Sequence, residues 1–309
     1  VNTTRIYLIS SAAGAAAALI VLAITGFNHR RQSDVEADAQ YGKHIAQNYR
    51  VFSLPIPQSV SFSGEVVPLD EWDIRERMDR ELLVNTYWQS NTLLAIKRAN
   101  RWFPVIEPIL RRNGIPDDFK YLALIESSLT MAVSPSGATG FWQFLEATAK
   151  HYGLEVNEEV DERYHVEKST EAACKYLNES YRKFGSWSMA AASYNMGQAG
   201  LDKQATRQGI NTYWDLLLNE ETSRYLFRIL AMKEITGNPD QYGFVIRPVD
   251  LYEPLNYREV EVDGEITDFA QFAKSHGISY KKLKLYNPWL RQNYLRNKAK
   301  TTYRVKLPE

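Results

Sequence analysis

The chain has 309 residues, 37 basic and 37 acidic side chains, one cysteine and 44% apolar residues. That length allows two or three globular units, and the apolar share with 24% charge fits a core-forming protein. A net charge of zero argues against a broad basic field for DNA or RNA, and one cysteine excludes an intramolecular disulfide or a multi-cysteine metal site.

Residues 6–27, IYLISSAAGAAAALIVLAITGF, carry no charged side chain. As a helix rising about 1.5 Å per residue they span roughly 33 Å, enough to cross a bilayer's hydrocarbon. The stretch exceeds a signal-peptide core and no small-residue cleavage site follows it, so an uncleaved anchor over residues 1–30 is expected ahead of a cleaved signal. Arg5 on one side against Arg30 and Arg31 on the other weakly favours a cytoplasmic body by the positive-inside rule. Residues 31–71, polar and then interrupted by Pro55, Pro57 and Pro68, read as a tether.

From residue 72 to about 240, apolar residues recur three and four apart, which predicts helices over 72–88, 91–114 and 117–128. Gly114 and Pro116 mark a stop followed by a start, and further helices are expected at 169–184, 187–196 and 221–236. After Pro239, VIRPVDLY and YREVEV are β-rich, TDFAQFAKSHG and SYKKLKLYN read as short helices, and TTYRVKLP reads as a closing strand. A small strand, helix, helix, strand module is therefore expected within 241–309. His29, His44, His151, His165 and His276 have no metal-ligand spacing, and no metal or organic cofactor is implied.

Residues 116–144, PDDFKYLALIESSLTMAVSPSGATGFWQF, carry the chemistry. Asp117 or Asp118 can cap the helix after Pro116. Phe119, Leu122 and Ala123 share a face with Glu126, while Tyr121, Leu124 and Ile125 make the other side apolar, so the helix is expected to be buried. A carboxyl at its poorly hydrated end has a raised pKa and can give a proton to a leaving oxygen. The alternative is that the helix surfaces by Glu126 and water solvates it. Gly137 and Gly140 allow a tight turn and close approach of backbone to a ligand. Trp142 reads either as an apolar platform or as core, and Gln143 offers an amide that donates and accepts. The helix 187–196 stops at Asn195 and Gly197, and spacing does not decide whether Tyr194 and Asn195 face a cleft.

Together these stretches resemble the lytic transglycosylase catalytic domain, a goose-type-lysozyme-like fold. The resemblance rests on Glu126-Ser127, on the loop from Ser134 to Gln143, on Ser193-Tyr194-Asn195-Met196-Gly197, and on Tyr225 within EETSRYLFRILAMKEI. It covers roughly residues 72–237. Leu129-Thr130-Met131 departs from the family's aromatic-Asn/Asp-Pro run, and Ser193 replaces an alanine. The trailing module more weakly resembles a peptidoglycan-binding LysM domain, with Gly264-Glu265-Ile266-Thr267 where a Gly-Asp-Thr opening is usual.

The resemblance implies a mainly α protein: an N-terminal transmembrane helix, an all-helical lysozyme-like catalytic domain at 72–240, and a small α+β LysM-like domain within 241–309. It implies non-hydrolytic cleavage of the β-1,4 bond between N-acetylmuramic acid and N-acetylglucosamine, giving 1,6-anhydromuropeptides. Glu126 is the expected lone acid and base, with Tyr194 hydrogen-bonding and orienting it. Ser127, Ser134, Gln143, Tyr194, Asn195 and Tyr225 are the expected substrate-binding residues. Glycan strands of peptidoglycan and the membrane are the implied partners, nucleic acid is not, and the catalytic body is expected in the periplasm or otherwise outside the cytoplasm. Two alternatives stand: a lysozyme-like hydrolase using a second carboxylate from Glu146, Asp161, Glu162 or Glu167, and an inactive wall-binding anchor.

Overall fold

The computed structural model describes residues 32, 35–44, 47 and 52–309. The anchor expected at 6–27 lies outside them, and among the described residues no helix is long and apolar enough to cross a membrane. The chain divides into two units at Ser53. Residues 35–44 of the first are helical; the second, Leu54–Glu309, carries the motifs.

The second unit begins inside the stretch expected as tether. Ser63 and Gly64 both take positive φ, 52° and 85°, the twist that suits a two-residue hairpin turn. They join β1 (Ser61–Phe62) to β2 (Glu65–Val66), with Ser61 opposite Val66 and Phe62 opposite Glu65. Val60, Phe62, Val67 and Leu69 are buried, and the Phe62 ring meets Phe119 edge-on at 5.1 Å. Residues 54–71 are thus part of the body, which corrects the tether boundary at 71; their apolar positions are too few to show a period.

The body holds eight helices, six of them in the periodic runs. They are α1 (Trp72–Tyr87), α2 (Gln89–Arg112), α3 (Lys120–Ser127), α4 (Glu146–His151), α5 (Val166–Phe184), α6 (Trp187–Met196), α7 (Gln198–Gln208) and α8 (Glu220–Gly237). Helix α8 lies against α1, α3 and α6, and α5 lies against α2 and α6. Pro104 and Pro108 lie on the exposed side of α2, where they leave its buried face intact. Neither Asp117 nor Asp118 caps α3. A 3-10 turn, Asp117–Phe119, precedes it, and Asp118 instead accepts from the Ser63 amide at 2.7 Å and Lys233 Nζ at 2.8 Å. Two helices, α4 and α7, fall in stretches whose periodicity is too short or too polar to announce them.

The N-terminus of α6 is capped from the hairpin. The Glu65 carboxylate accepts from the amides of Trp187 at 2.5 Å and Ser188 at 3.1 Å, placing negative charge where the helix's free N–H groups point.

The tail has the expected order: β3 (Tyr257–Val262), α9 (Phe269–Ser275), α10 (Tyr280–Tyr286) and β4 (Tyr303–Pro308). The strands pair antiparallel, from Tyr257 opposite Pro308 to Val262 opposite Tyr303. VIRPVDLY forms no strand. Pro248 lacks an amide proton, and the segment turns at Pro248–Asp250 with the Arg247 amide and guanidinium on the Asp250 carboxylate.

The tail's core is completed by the body. Val160 and Tyr164 are buried in one cluster with Val262, Phe269, Leu283 and Leu290. The Asp161 amide donates to the Trp289 carbonyl at 2.9 Å, the Arg291 amide donates to the Glu159 carbonyl at 2.7 Å, and Glu159 pairs with Arg296. Body and tail are therefore expected to unfold in one calorimetric transition. Val160→Asp, which buries an unpaired carboxylate, is expected to lower its stability by on the order of 3 kcal/mol. Two separate transitions in the unsubstituted protein would contradict this.

Candidate active site

Helix α3 is short because both ends are committed. Leu122, Ala123 and Leu124 are buried on it, and Ser128 (φ 50°) and Leu129 (φ 53°) take left-handed backbone that ends it directly after Glu126-Ser127. Each such non-glycine residue costs roughly 1 kcal/mol, and burial of Leu129 offsets it. Glu126 is left half-buried, in the wall of a cavity of ≈ 270 Å³ shared with Glu81, Trp88, Asn91, Arg224 and Arg228.

Burial pushes the Glu126 carboxyl above its ordinary range. Two groups oppose that: the Tyr225 hydroxyl, which donates to Glu126 Oε1, and the positive charge of Arg228. The negative charge of Glu221 adds to the upward push. Arg228 also donates to the Ile125 carbonyl at 3.1 Å, a cation on the C-terminal carbonyls of α3. Its neighbour Arg224 is bound to Glu81, a carboxylate 1% exposed.

The expected site residues divide. Tyr225 reaches the acid. Tyr194 does not bond it: its hydroxyl donates to the Trp142 carbonyl at 2.7 Å, and its ring packs edge-on against Tyr176, Phe144 and Trp142. The partner of Glu126 is thus the tyrosine on α8, because the loop carbonyl of Trp142 takes the one on α6. Burial first, and then the charge of Glu126, hold both phenols well above their ordinary range, so both keep their protons.

Ser127 is buried and donates to the Phe141 carbonyl at 3.0 Å, fastening the helix to the loop instead of facing a ligand. The Ser134 hydroxyl accepts from the Ala138 amide at 3.0 Å and lies 3.0 Å from the Ser136 hydroxyl. Gln143, at φ 47°, spends its amide nitrogen on the carbonyls of Gly140 and Ala132, at 2.8 and 3.1 Å. Trp142 is core: it is fully buried and donates to Thr170 Oγ1 at 2.9 Å. Asn195 donates to Glu221 Oε1 at 3.0 Å and accepts from the Thr222 hydroxyl at 2.7 Å. Ser193 finds an internal partner in the Ser180 hydroxyl at 2.9 Å.

The close approach at Gly140 is to backbone, not to a ligand. A Cβ there would lie 2.0 Å from the Arg163 carbonyl oxygen. The Arg163 guanidinium meanwhile holds Asp161 through two nitrogens and donates to the carbonyls of Gly137 and Phe144, at 3.1 and 3.3 Å. Sequence reading passed over Arg163, which sits in the charged run EVNEEVDERY, and over Arg228, whose spacing of three from Tyr225 on α8 is its only signal.

None of the four proposed second carboxylates lines the Glu126 cavity. Glu146 is exposed and pairs with Lys150, Asp161 with Arg163, Glu162 with Lys168, and Glu167 with Lys306. Glu221, exposed and held by Asn195, is the carboxylate whose charge acts on Glu126. Among the described residues no group of three or more His, Cys, Asp or Glu is placed to hold a metal ion.

Residues 104–217 match the family described as Transglycosylase SLT domain, and residues 258–309 match the Soluble lytic transglycosylase C-terminal LysM-like domain. The chain is 29% identical over 220 residues to Membrane-bound lytic murein transglycosylase D of Escherichia coli (strain K12), covering 69% of this chain and 47% of that protein. The protein of the same name from Escherichia coli O6:H1 matches equally. A Putative tributyltin chloride resistance protein of Alteromonas sp. (strain M-1) is 28% identical over 123 residues, 39% of this chain and 59% of that protein. The chain spans about half the length of the curated relatives it matches.

Three outcomes follow from this geometry. Tyr225→Phe removes a bond that favours the carboxylate and is expected to raise the Glu126 pKa, whereas Glu221→Gln removes a like charge and is expected to lower it; carbon-13 titration of the carboxyl reads both. A raised folded pKa means the stability from neutral Glu126 is full below the unfolded value and lost as pH rises through the folded one. Glu126→Gln should therefore melt at a higher temperature than the parent at pH 8, with the difference vanishing in acid. Gly140→Ala should displace the loop and lower stability, while Gly137→Ala, with nothing within 4 Å of its added methyl, should cost only about 1 kcal/mol.

Proposed function

We propose that this chain, in which a transglycosylase SLT domain precedes a LysM-like tail, is a lytic transglycosylase of peptidoglycan with Glu126 as its single acid and base. The observation that carries this is the Glu126 carboxyl itself, set in a cavity, its pKa raised by burial, and hydrogen-bonded by Tyr225. Neutral Glu126 gives its proton to the oxygen bridging C1 of N-acetylmuramic acid and C4 of N-acetylglucosamine, and the C1–O bond breaks. The substrate's N-acetyl group steadies the positive charge developing at C1. The C6 hydroxyl oxygen then bonds to C1, and its proton passes to the Glu126 carboxylate, which is neutral again. No water is consumed, and the product carries a 1,6-anhydro ring.

The opposing influences on Glu126 suit this cycle. Burial favours the acid that starts it, while Tyr225 and Arg228 favour the carboxylate that exists between the two proton transfers. Glycosidases that hydrolyse commonly place a second carboxyl roughly 5–10 Å away. Glu221 is the residue that a hydrolytic reading would use in that role, since its charge is felt at Glu126. Its exposure and its bond to Asn195 favour a solvated, structural carboxylate. Acting on peptidoglycan places the body outside the cytoplasm, and the apolar stretch 6–27 is proposed as its membrane anchor.

Mass analysis of fragments released from purified sacculi tests the reaction. Transglycosylation is expected to give muropeptides one water lighter than hydrolysis products; hydrated products would favour the Glu221-assisted hydrolase. Glu126→Gln is expected to lower the rate by on the order of 10²- to 10⁴-fold. Equal release from both would remove Glu126 from the reaction, and release from neither would instead support a wall-binding protein without this chemistry. The parent's rate should fall on the alkaline side as pH rises through the raised Glu126 pKa, because the proton donor is lost.

A further inference from the structure

A groove of ≈ 440 Å³ runs between body and tail, larger than the cavity around Glu126. One wall is a face of α2, where Arg98, Arg101, Trp102 and Val105 stand three and four residues apart. The other is the end of α10 and the turn after it, with Lys284, Leu285, Tyr286 and Trp289. Leu129, Met131 and Phe141 line it where it approaches the site. Clefts between packed modules with aromatic walls and a few charged groups are common ligand sites.

Its charge is lopsided in a chain whose net charge is zero. Four cations, Arg98, Arg101, Lys284 and Lys306, line the groove against one carboxylate, Glu167. That carboxylate already pairs with Lys306 and His165, and the contacts hold it far below the usual carboxylate range. Among the described residues, Arg98, Arg101 and Lys284 have no carboxylate partner. Arg98 donates to the Ser128 carbonyl at 3.3 Å, Arg101 donates to the Glu253 carbonyl at 2.8 Å and lies over the Tyr252 ring at 5.3 Å, and Lys284 is bonded to backbone carbonyls. Such a surface fits a ligand that brings its own carboxylates.

The groove is also next to the reacting group. Ser127 and Ser128 line the Glu126 cavity, and the next residues, Leu129 to Met131, line the groove. Five residues of chain, the interval from Glu126 to Met131, span at most about 18 Å, and so does an extended peptide of the same length. A short peptide rooted on a sugar at Glu126 therefore reaches the groove.

We propose that this groove is a subsite for the carboxylate-bearing peptide stem of the glycan strand, and that it lets the enzyme prefer stem-bearing strands. The proposal rests on peptidoglycan being the substrate. Arg101 is the informative position, because it is half-buried on the α2 wall, outside the proton-transfer machinery, and held by one backbone carbonyl and the Tyr252 ring, with no carboxylate partner among the described residues.

The test uses the full chain and two readouts. The first is titration with a soluble stem tetrapeptide, followed by tryptophan fluorescence, since Trp102 and Trp289 line the groove. Saturable binding is expected, weakened at least tenfold by Arg101→Glu and by 0.5 M salt, and largely retained by Arg101→Lys. Absence of binding, or affinity equal in parent and Arg101→Glu of unchanged melting temperature, overturns the subsite. The second compares kcat/KM on stem-bearing strands with that on strands stripped by an amidase. The parent is expected to favour the former, and Arg101→Glu to abolish that preference while leaving the stripped substrate unaffected. Equal loss on both substrates overturns the proposal. A protein that binds the tetrapeptide yet cleaves neither strand sinks the proposed reaction and leaves the groove standing.

Discussion

A carboxyl proposed to give up a proton and then take one back has to sit where neither form is strongly preferred. At Glu126, loss of hydration favours the acid. Tyr225 and Arg228 push back. They stand three residues apart on α8, so both reach α3 from one face. Arg224, the residue before Tyr225, is drawn off by Glu81 on α1 and leaves Arg228 as the cation at the carboxyl. The packing of α1, α3 and α8 thus does electrostatic work as well as burying apolar surface.

A second layer of interactions fixes the loop beside the acid. Ser127 ties α3 to Phe141, Gln143 closes the loop on itself, and Arg163 grips the carbonyls of Gly137 and Phe144 from outside. Gly140 is needed because the Arg163 backbone lies against it. Side chains that a motif presents as ligands for sugar are here spent on the shape of the surface that a sugar would meet. Asn195, with Glu221 and Thr222, organises the rim on the α8 side in the same manner.

Much of this was legible from periodicity. The long helices, the tail's strand, helix, helix, strand order, and the apolar surroundings of Glu126 all follow from spacing of three, four or two. Spacing places a side chain on a face but does not choose its hydrogen-bond partner. Tyr194 and Tyr225 are therefore indistinguishable until the Trp142 carbonyl is seen to accept from the first. The hairpin at Ser63-Gly64 is too short to show alternation, and its prolines pointed to a linker, so the Glu65 cap on α6 was invisible. Arg163 was hidden for a different reason: a charged run reads as solvated surface, yet this guanidinium is pinned by Asp161.

The exchange of Val160 and Tyr164 into the tail's interior has an evolutionary corollary. Small terminal modules are commonly imagined as cassettes, gained or lost by recombination without disturbing their host. Here, excision would strip cover from two large apolar side chains, and transplantation would leave the donor fragment with a hole where they had been. Recombination at this junction would thus succeed only when the 155–167 segment travels with the C-terminal piece, so the inheritable unit is drawn across the apparent border between domains.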